Sequence, residues 1–213
     1  MNKKTAAIFI CILVGAGLIV QNASARLSDR FAGFMKEMTI SEDVITEGSS
    51  FDVLYILGGS PSSLREKHAK VGRLSGKIEY KKIMILDRPG ITEYSKEVGR
   101  NLTSNEWSVR ELENRGIKKR DIELVSTEKG YFGTLGEARA VTELMKVRGY
   151  RTALLVTAPH HTARVKRSFS RILREINGEC FVTSSEEKAA IGELLMENIK
   201  LVVYTLILLP AQG

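Results

Sequence analysis

Cysteine is scarce in this chain of 213 residues, which contains only Cys11 and Cys180. Cys11 lies inside an apolar run near the amino terminus, so Cys180 is the one cysteine in the rest of the chain. A disulfide framework and a cysteine-based metal site within the chain are therefore excluded. Cys180 belongs to the β-rich run Cys-Phe-Val-Thr, where we expect it to be a small buried apolar side chain.

The sequence also lacks the short motifs of several enzyme classes. It contains no glycine-rich P-loop, no nucleophile elbow and no serine–histidine–acid pattern, so serine hydrolase chemistry has no support. The three histidines are His68, His160 and His161, and no pair of them has the spacing of a zinc site. The sequence therefore predicts no metal site and no cofactor.

The net charge of +7 suits an anionic partner, such as a phosphate group or a membrane surface. The basic residues are scattered, without the aromatic-interleaved block that binds single-stranded nucleic acid, so we expect no nucleic-acid partner. Apolar residues make up 43% and charged residues 27% of the chain, and these proportions are typical of a folded domain.

The first 25 residues have the pattern of an export signal. Lys3 and Lys4 precede an uncharged apolar run at residues 6–20, and Ala-Ser-Ala at residues 23–25 offers a cleavage site. The run is shorter than the roughly 20 residues that span a bilayer, which favours a cleaved signal peptide over an uncleaved signal anchor. Both alternatives predict an exported domain, in the periplasm or at the extracytoplasmic face of the inner membrane.

Residues 26–50 are interpreted as a short helix and a linker, and residues 51–209 as a single domain. In that domain, short β-rich runs alternate with helical patterns, which predicts parallel pairing and right-handed crossovers. The predicted fold is a three-layer α/β/α, Rossmann-like domain with a mainly parallel sheet of about five strands. The predicted strands are residues 52–57, 82–87, 121–125, 153–157 and 179–183, the last as a possible edge strand.

Helical patterns follow each of these strands. The second helical stretch comes directly after Arg88-Pro89-Gly90, and Ser184 and Glu187 have the spacing of a capping box that opens the last helix. The last helix becomes continuously apolar at residues 201–209, and we expect it to pack on the sheet or the amino-terminal segment, or to enter the membrane interface. The other predicted helices are residues 62–75, 134–148 and 162–176.

Residues suited to ligand binding follow the ends of predicted strands. Gly58 and Gly59 follow the first strand, where glycine lets the backbone pass close to a ligand. Thr134 and Glu137 lie in the first turn of a helix, where capping and the helix dipole explain them as well as a ligand does. Because the carboxyl ends of parallel strands share one edge of the sheet, we expect these residues to lie together.

The turn after the fourth predicted strand adds His161 and Arg164 to the same edge. His161 can donate or accept a proton, and Arg164 can hold a phosphate or carboxylate with two N–H groups. His160 is expected to pack against the turn. Further along the helix, the polar face carries solvated arginines at Arg167, Arg171 and Arg174.

The order of these elements resembles the YdcF-like family, which includes the SanA and ElyC proteins. The resemblance covers roughly residues 52–204, and its strongest element is Val-Thr-x-x-x-His-x-x-Arg, which joins Thr157, His161 and Arg164. Leu-Asp-Arg-Pro-Gly at residues 86–90 departs from the family's Ser-Gly-Gly. Gly133 and Ala138 replace two asparagines that flank the family's Thr-x-x-Glu.

The resemblance implies an exported or membrane-anchored domain that binds an anionic ligand, phosphate-bearing and nucleotide- or lipid-linked, in cell-envelope biogenesis. The implied partners are that small-molecule or lipid-linked ligand and, if the signal is uncleaved, the membrane. An enzyme would use His161 and Glu137 for proton transfer, whereas a non-catalytic module would use the same cleft to bind or regulate. A third alternative is that the helix starts are capped and no cleft exists. The implied ligand-binding residues are Gly58, Gly59, Thr134, Thr157 and Arg164.

Overall fold

The computed structural model describes residues 39–127, 133–187 and 191–204, together with Gly33. The predicted export signal and residues 205–209 of the apolar carboxyl-terminal run lie outside the described residues. Within the described ranges, no helix combines the length and the apolar character needed to cross a membrane.

Five parallel strands form the central sheet and confirm the predicted fold class. The strands in chain order are β1 (Ser50–Ile56), β2 (Glu79–Leu86), β3 (Ile91–Ser95), β4 (Arg100–Thr103), β5 (Ile122–Val125), β6 (Thr152–Thr157) and β7 (Glu179–Ser184). The sheet has the order β5-β2-β1-β6-β7, and every neighbouring pair in it is parallel. This order places β1 and β6 side by side in the centre and β7 at an edge.

Helices cover both faces of the sheet and complete the three layers. They are α1 (Pro61–Ser75), α2 (Ser104–Glu113), α3 (Gly133–Arg148), α4 (Thr162–Leu173) and α5 (Ile191–Val203). Val71 of α1 and Leu112 of α2 belong to one apolar cluster, and the buried apolar side chains Val141 of α3 and Phe169 of α4 belong to the other. Alternate residues of a central strand pack in one cluster or the other, because successive side chains of a strand point to opposite faces of the sheet.

Neighbouring residues of β1 illustrate this alternation. Leu54 packs in the cluster that contains Val71 of α1. Tyr55 faces the opposite layer, where its ring centroid lies 5.8 Å from that of Phe169 on α4. Leu54 and Tyr55 are both fully buried, as expected for a central strand covered on two sides.

An antiparallel hairpin of β3 and β4 lies between β2 and α2, where the sequence predicted only a turn and a helix. Its strands have five and four residues and pair only with each other among the described strands, and Ile91 and Tyr94 are exposed. Such short, exposed strands lack the buried apolar run that reveals a central strand. The helix itself begins at Ser104, after a capping box formed by Thr103 and Glu106.

The predicted capping box at Ser184 and Glu187 is wrong. Ser184 is the last residue of β7, and α5 is described from Ile191 onward. The Ser184 N–H and hydroxyl both donate to the Glu42 carboxylate, at 3.1 and 2.6 Å. Glu187 accepts a hydrogen bond from the Ser63 hydroxyl of α1 at 3.1 Å. Ser184 therefore ends a strand, and its side chain donates a hydrogen bond to Glu42 at the edge of the sheet.

Residues 39–43, named here the edge strap, run beside β7. The Asp43 N–H donates to the Val182 carbonyl at 2.8 Å, and the Asp43 carboxylate accepts from the Val182 N–H at the same distance. Lys166 of α4 forms an ion pair with the same carboxylate. At the other end of the strap, the Ser41 N–H donates to the Thr162 hydroxyl at 2.8 Å. The strap is thus fixed to both β7 and α4.

Candidate functional site

The strand order reverses between β1 and β6. From β1, the chain first adds β2 and β5 on one side, and it then returns to add β6 and β7 on the other side. In open α/β sheets, ligands bind at this switch point, outside the carboxyl ends of the strands. Gly58 and Gly59 follow β1, and Thr157 ends β6. The strand order therefore brings the predicted residues to one edge of the sheet, at the place where this fold class binds ligands.

A cavity of about 380 Å³, named here the anion cleft, opens at this edge. Thr134 and Glu137 of α3 and Arg164 of α4 line one part of it. Lys200 and two aliphatic side chains of α5, with Tyr204 directly after the helix, provide more of the lining. A cleft is therefore present among three of the predicted residues, and the last helix supplies a wall that the sequence did not place there.

Arg164 lies at the centre of a buried polar network. Its Nε and Nη2 donate to the two carboxylate oxygens of Glu197, and its Nη1 donates to the Thr134 hydroxyl. The guanidinium and the carboxylate are 8% and 1% exposed, so their charges compensate each other away from solvent. Most N–H groups of Arg164 are thereby bonded within the protein, which leaves fewer for an anion than the sequence predicted.

His161 joins the same network through one ring nitrogen. Its Nδ1 lies 2.7 Å from Oε2 of Glu197 and 3.2 Å from Nη2 of Arg164. The shorter contact is the one in which Nδ1–H donates to the carboxylate, which fixes the tautomer and the orientation of the ring. Nε2 is then the nitrogen that can exchange a proton with a ligand. The side chain is 29% exposed, and it lies next to Arg164, which lines the cleft, without lining the cleft itself.

Glu197 is the main site residue that the sequence analysis missed. Burial raises the pKa of Glu197, but hydrogen bonds from His161 and Arg164 and their positive charge outweigh it, so the pKa falls from 4.5 to about 2. The carboxylate is therefore ionised at neutral pH. A signal was present, because Leu194, Glu197 and Leu201 share the spacing of one helix face, and all three are buried.

Glu137 supports the turn after β1. Its Oε2 accepts hydrogen bonds from the Tyr55 hydroxyl at 2.7 Å and from the Gly58 N–H at 3.1 Å. Burial and the neighbouring Glu137 carboxylate raise the pKa of Tyr55 well above its usual value. A Cβ at Gly58 would lie 3.2 Å from Glu137 Oε1 and 3.1 Å from a Leu86 methyl group, so glycine fits this position tightly. Glu137 thus fixes the position of Gly58, and its side chain also lines the anion cleft.

Lys67, a second residue that the sequence analysis missed, lies under the same turn. It is 1% exposed, and its Nζ donates to the carbonyls of Leu57 and Gly58 at 3.2 and 2.8 Å. Burial lowers the pKa of Lys67 to about 8, helped by Arg88 and opposed by two nearby carboxylates. A Cβ at Gly59 would lie 2.9 Å from this Nζ. The need for glycine at residue 59 is therefore explained by Lys67 and requires no ligand.

Thr157 and His160 complete the edge. Thr157 is buried, and its carbonyl accepts the Ser185 N–H at 2.9 Å, which anchors the chain after β7. His160 is buried as well, with its ring centroid 4.1 Å from that of His161. Burial and the adjacent His161 lower the pKa of His160. His160 therefore packs within the turn, and His161 is the more accessible of the two rings.

No protein-family model matches this chain, and a comparison with curated proteins finds no match. Within the described parts of the chain, no group of three or more His, Cys, Asp or Glu side chains is arranged to hold a metal ion. The charges around the anion cleft are then the guide to its ligand. Lys200 lies on its wall with a half-exposed side chain, and its Nζ is 3.9 Å from Glu197 Oε2.

Proposed function

We propose that the anion cleft binds a phosphate-bearing ligand, in an exported YdcF-like protein of the cell envelope. The observation that most supports this is Lys200, a half-exposed cation on the wall of a 380 Å³ cavity. Glu197 bonds Arg164 directly, whereas Lys200 lies 3.9 Å from the same carboxylate. Among the described residues of the cleft, Lys200 is therefore the cation better placed to meet a ligand. Export is supported by the amino-terminal pattern, and the envelope role and the nucleotide- or lipid-linked nature of the ligand are supported by the resemblance to the family.

A catalytic role within this proposal is supported by the pair His161 and Glu197. A carboxylate on one ring nitrogen orients histidine for proton transfer at the other nitrogen. Glu137 is less suited to proton transfer than the sequence suggested, since one of its oxygens already accepts hydrogen bonds from Tyr55 and Gly58. The pair therefore replaces Glu137 as the partner of His161.

A non-catalytic module is the second candidate, and one observation favours it. Arg164 bonds Thr134 of α3 and Glu197 of α5, so the network joins three helices as a structural ion pair does. Under this alternative, the network fixes the shape of the cleft and the bound ligand is left unchanged.

Lys200→Ala is expected to weaken the binding of phosphate-bearing probes to the full chain by at least about tenfold. The reason is the loss of a charge-assisted hydrogen bond, an interaction of about 1.5–3 kcal/mol. Inorganic phosphate, a nucleoside monophosphate and a short polyprenyl phosphate are compared by the rise in melting temperature that each produces, which depends on binding to the folded state.

Lys200→Arg keeps the charge and should keep most of the affinity. Lys146→Ala, at an exposed position in the last turn of α3, is the matched control away from the cleft. The proposal fails if no probe raises the melting temperature, or if Lys200→Ala behaves like Lys146→Ala.

His161→Asn separates the two candidates, because an amide can still donate to Glu197 but offers no second ring nitrogen. For an enzyme, we expect this variant to bind the probe within about tenfold of the parent affinity and to lose conversion of the probe, since general acid–base catalysis contributes about 10²–10⁴-fold. Conversion is followed by phosphorus NMR of the nucleoside monophosphate or polyprenyl phosphate. A parent protein that binds a probe and leaves its phosphorus unchanged supports the non-catalytic module.

A further inference from the structure

A second cavity, of about 110 Å³, lies on the α1 and α2 side of the Gly58 turn and is named here the ring pocket. Leu64 of α1, Ile91 of the hairpin and Trp107 of α2 provide apolar parts of the lining, and polar parts come from Arg88 and from four Ser, Thr and Asn side chains. His68 lines it from α1. The β3–β4 hairpin that the sequence did not predict thus contributes a wall of this pocket, which contains none of the cleft residues Thr134, Arg164 and Lys200.

His68 is the unusual member of the ring pocket. It is 0% exposed, and neither ring nitrogen has a hydrogen-bond partner within the described part of the chain. Buried polar side chains are nearly always hydrogen-bonded, so an unpaired pair of ring nitrogens in a cavity wall indicates a missing partner. The His68 ring centroid lies 5.5 Å from that of Trp107, so the two rings are neighbours in the wall.

The electrostatic surroundings keep His68 neutral. Burial, with the positive charges of Arg115 and Lys67, lowers the pKa of His68 to about 3. A neutral imidazole has one donor nitrogen and one acceptor nitrogen. The partner that His68 suits is therefore an uncharged group that accepts or donates a hydrogen bond. Arg88 is a cation in the same lining, and its guanidinium donates to the Gly59 carbonyl.

The size of the pocket restricts the partner further. A cavity of 110 Å³ exceeds the space needed by one water molecule, and an engineered apolar cavity of about 150 Å³ holds benzene. The pocket is smaller than that cavity, so one small ring is the largest group that its volume suits, and a fused-ring system is too large.

We propose that the ring pocket binds a small, neutral, single-ring group that hydrogen-bonds to His68 and packs against Trp107. Phenol-type rings supply a donor to one ring nitrogen, and pyridine-type rings supply an acceptor to the other. The proposal does not depend on phosphate binding in the anion cleft, because the two cavities share none of the residues that define the ligand class in each.

Trp107 makes the proposal directly measurable, since it is the single tryptophan of the chain. Titration of the full chain with phenol or pyridine should give a saturable change in tryptophan fluorescence. Benzene, which has the same shape and no hydrogen-bonding atom, should bind at least about fivefold more weakly because it leaves His68 unpaired. Absence of a saturable change with either polar ring overturns the proposal, as does equal binding of benzene.

Variants of His68 test the residue assignment. His68→Leu should weaken phenol binding at least about tenfold while leaving the melting temperature of the ring-free protein unchanged or higher, because an apolar side chain replaces an unpaired polar one. His68→Gln restores a donor and an acceptor and should recover part of the affinity. Lys200→Ala should leave phenol binding unchanged.

A lowered melting temperature or failed folding of His68→Leu overturns the proposal, because it would mean that ordered water already pairs the ring nitrogens. Unaltered phenol binding by His68→Leu overturns it as well, since the ring would then bind elsewhere. Loss of affinity in His68→Leu with recovery in His68→Gln supports it.

Discussion

Glu197→Ala lowers the free energy of unfolding by about 3–5 kcal/mol, the largest effect expected from a single substitution at the cleft. The reason is that Arg164, which is 8% exposed, would keep a buried charge without its carboxylate partner. His161 would lose the acceptor of its Nδ1–H at the same time. Urea denaturation of the full chain measures the loss.

Two further variants separate the charge from the packing at this position. Glu197→Gln keeps the shape and removes the charge, so we expect an intermediate loss. The double variant Arg164→Leu with Glu197→Leu removes both charges and should recover most of the stability, since buried ion pairs are often replaced by apolar residues at little cost. If Glu197→Ala and the double variant are equally unstable, packing and not the unpaired charge is responsible.

The same carboxylate contributes to the acid sensitivity of the fold. The pKa of Glu197 is about 2 in the folded state against 4.5 for an ordinary glutamate, so the unfolded chain binds the proton more readily. Its contribution, about 3 kcal/mol, is complete above pH 4.5 and is lost as the pH falls toward 2. Between pH 4.5 and pH 2, Glu197→Gln should therefore lose about 3 kcal/mol less of its free energy of unfolding than the parent protein does.

Raising the pH from 7 to 9.5 stabilises the parent protein by about 2 kcal/mol through Lys67. The pKa of Lys67 is lowered from 10.5 to about 8 by burial, so in this window the unfolded chain binds more protons than the folded protein. Stability therefore increases as the pH rises above 8. Deprotonation also leaves N–H donors for the carbonyls of Leu57 and Gly58. Urea denaturation at a series of pH values gives the slope.

Lys67→Met removes the titrating group at nearly constant volume, and its stability should rise by less than half as much over the same interval. Lys70→Met is the control, because Lys70 lies on the same helix and is only partly buried. It should keep the full slope of the parent. Equal slopes in all three proteins would show that Lys67 stays protonated and that its charge is better compensated than burial indicates.

The parallel strands and the edge of the sheet that holds the cleft were predictable because they depend on local patterns. Apolar runs ending in glycine or polar residues marked the parallel strands, and the apolar spacing of Ala138, Val141 and Met145 marked the inward face of α3, where all three are fully buried. Since parallel strands present their carboxyl ends at one edge, Thr134, Glu137 and Arg164 were expected together, and they line one cavity.

The rest of the site depends on partners that are distant in sequence. Glu197 is 33 positions from Arg164, and a charged residue on a helix is expected to be solvated unless its partner is known. Lys67 lies in a helix with many charged residues, and only the fold shows that backbone carbonyls after β1 accept hydrogen bonds from its amine. The hairpin was missed for a related reason, since its strands pair with each other and not with the sheet.

The edge strap has a consequence for contacts between molecules. An unpaired edge strand can template the addition of a strand from another copy, which leads to aggregation. Along β7, the N–H groups of Val182 and Ser184 are already bonded to the carboxylates of Asp43 and Glu42. At the opposite edge, β5 has only four residues. An incoming strand would have to displace the two acidic side chains and break the ion pair with Lys166, so the strap protects the β7 edge from the addition of a strand.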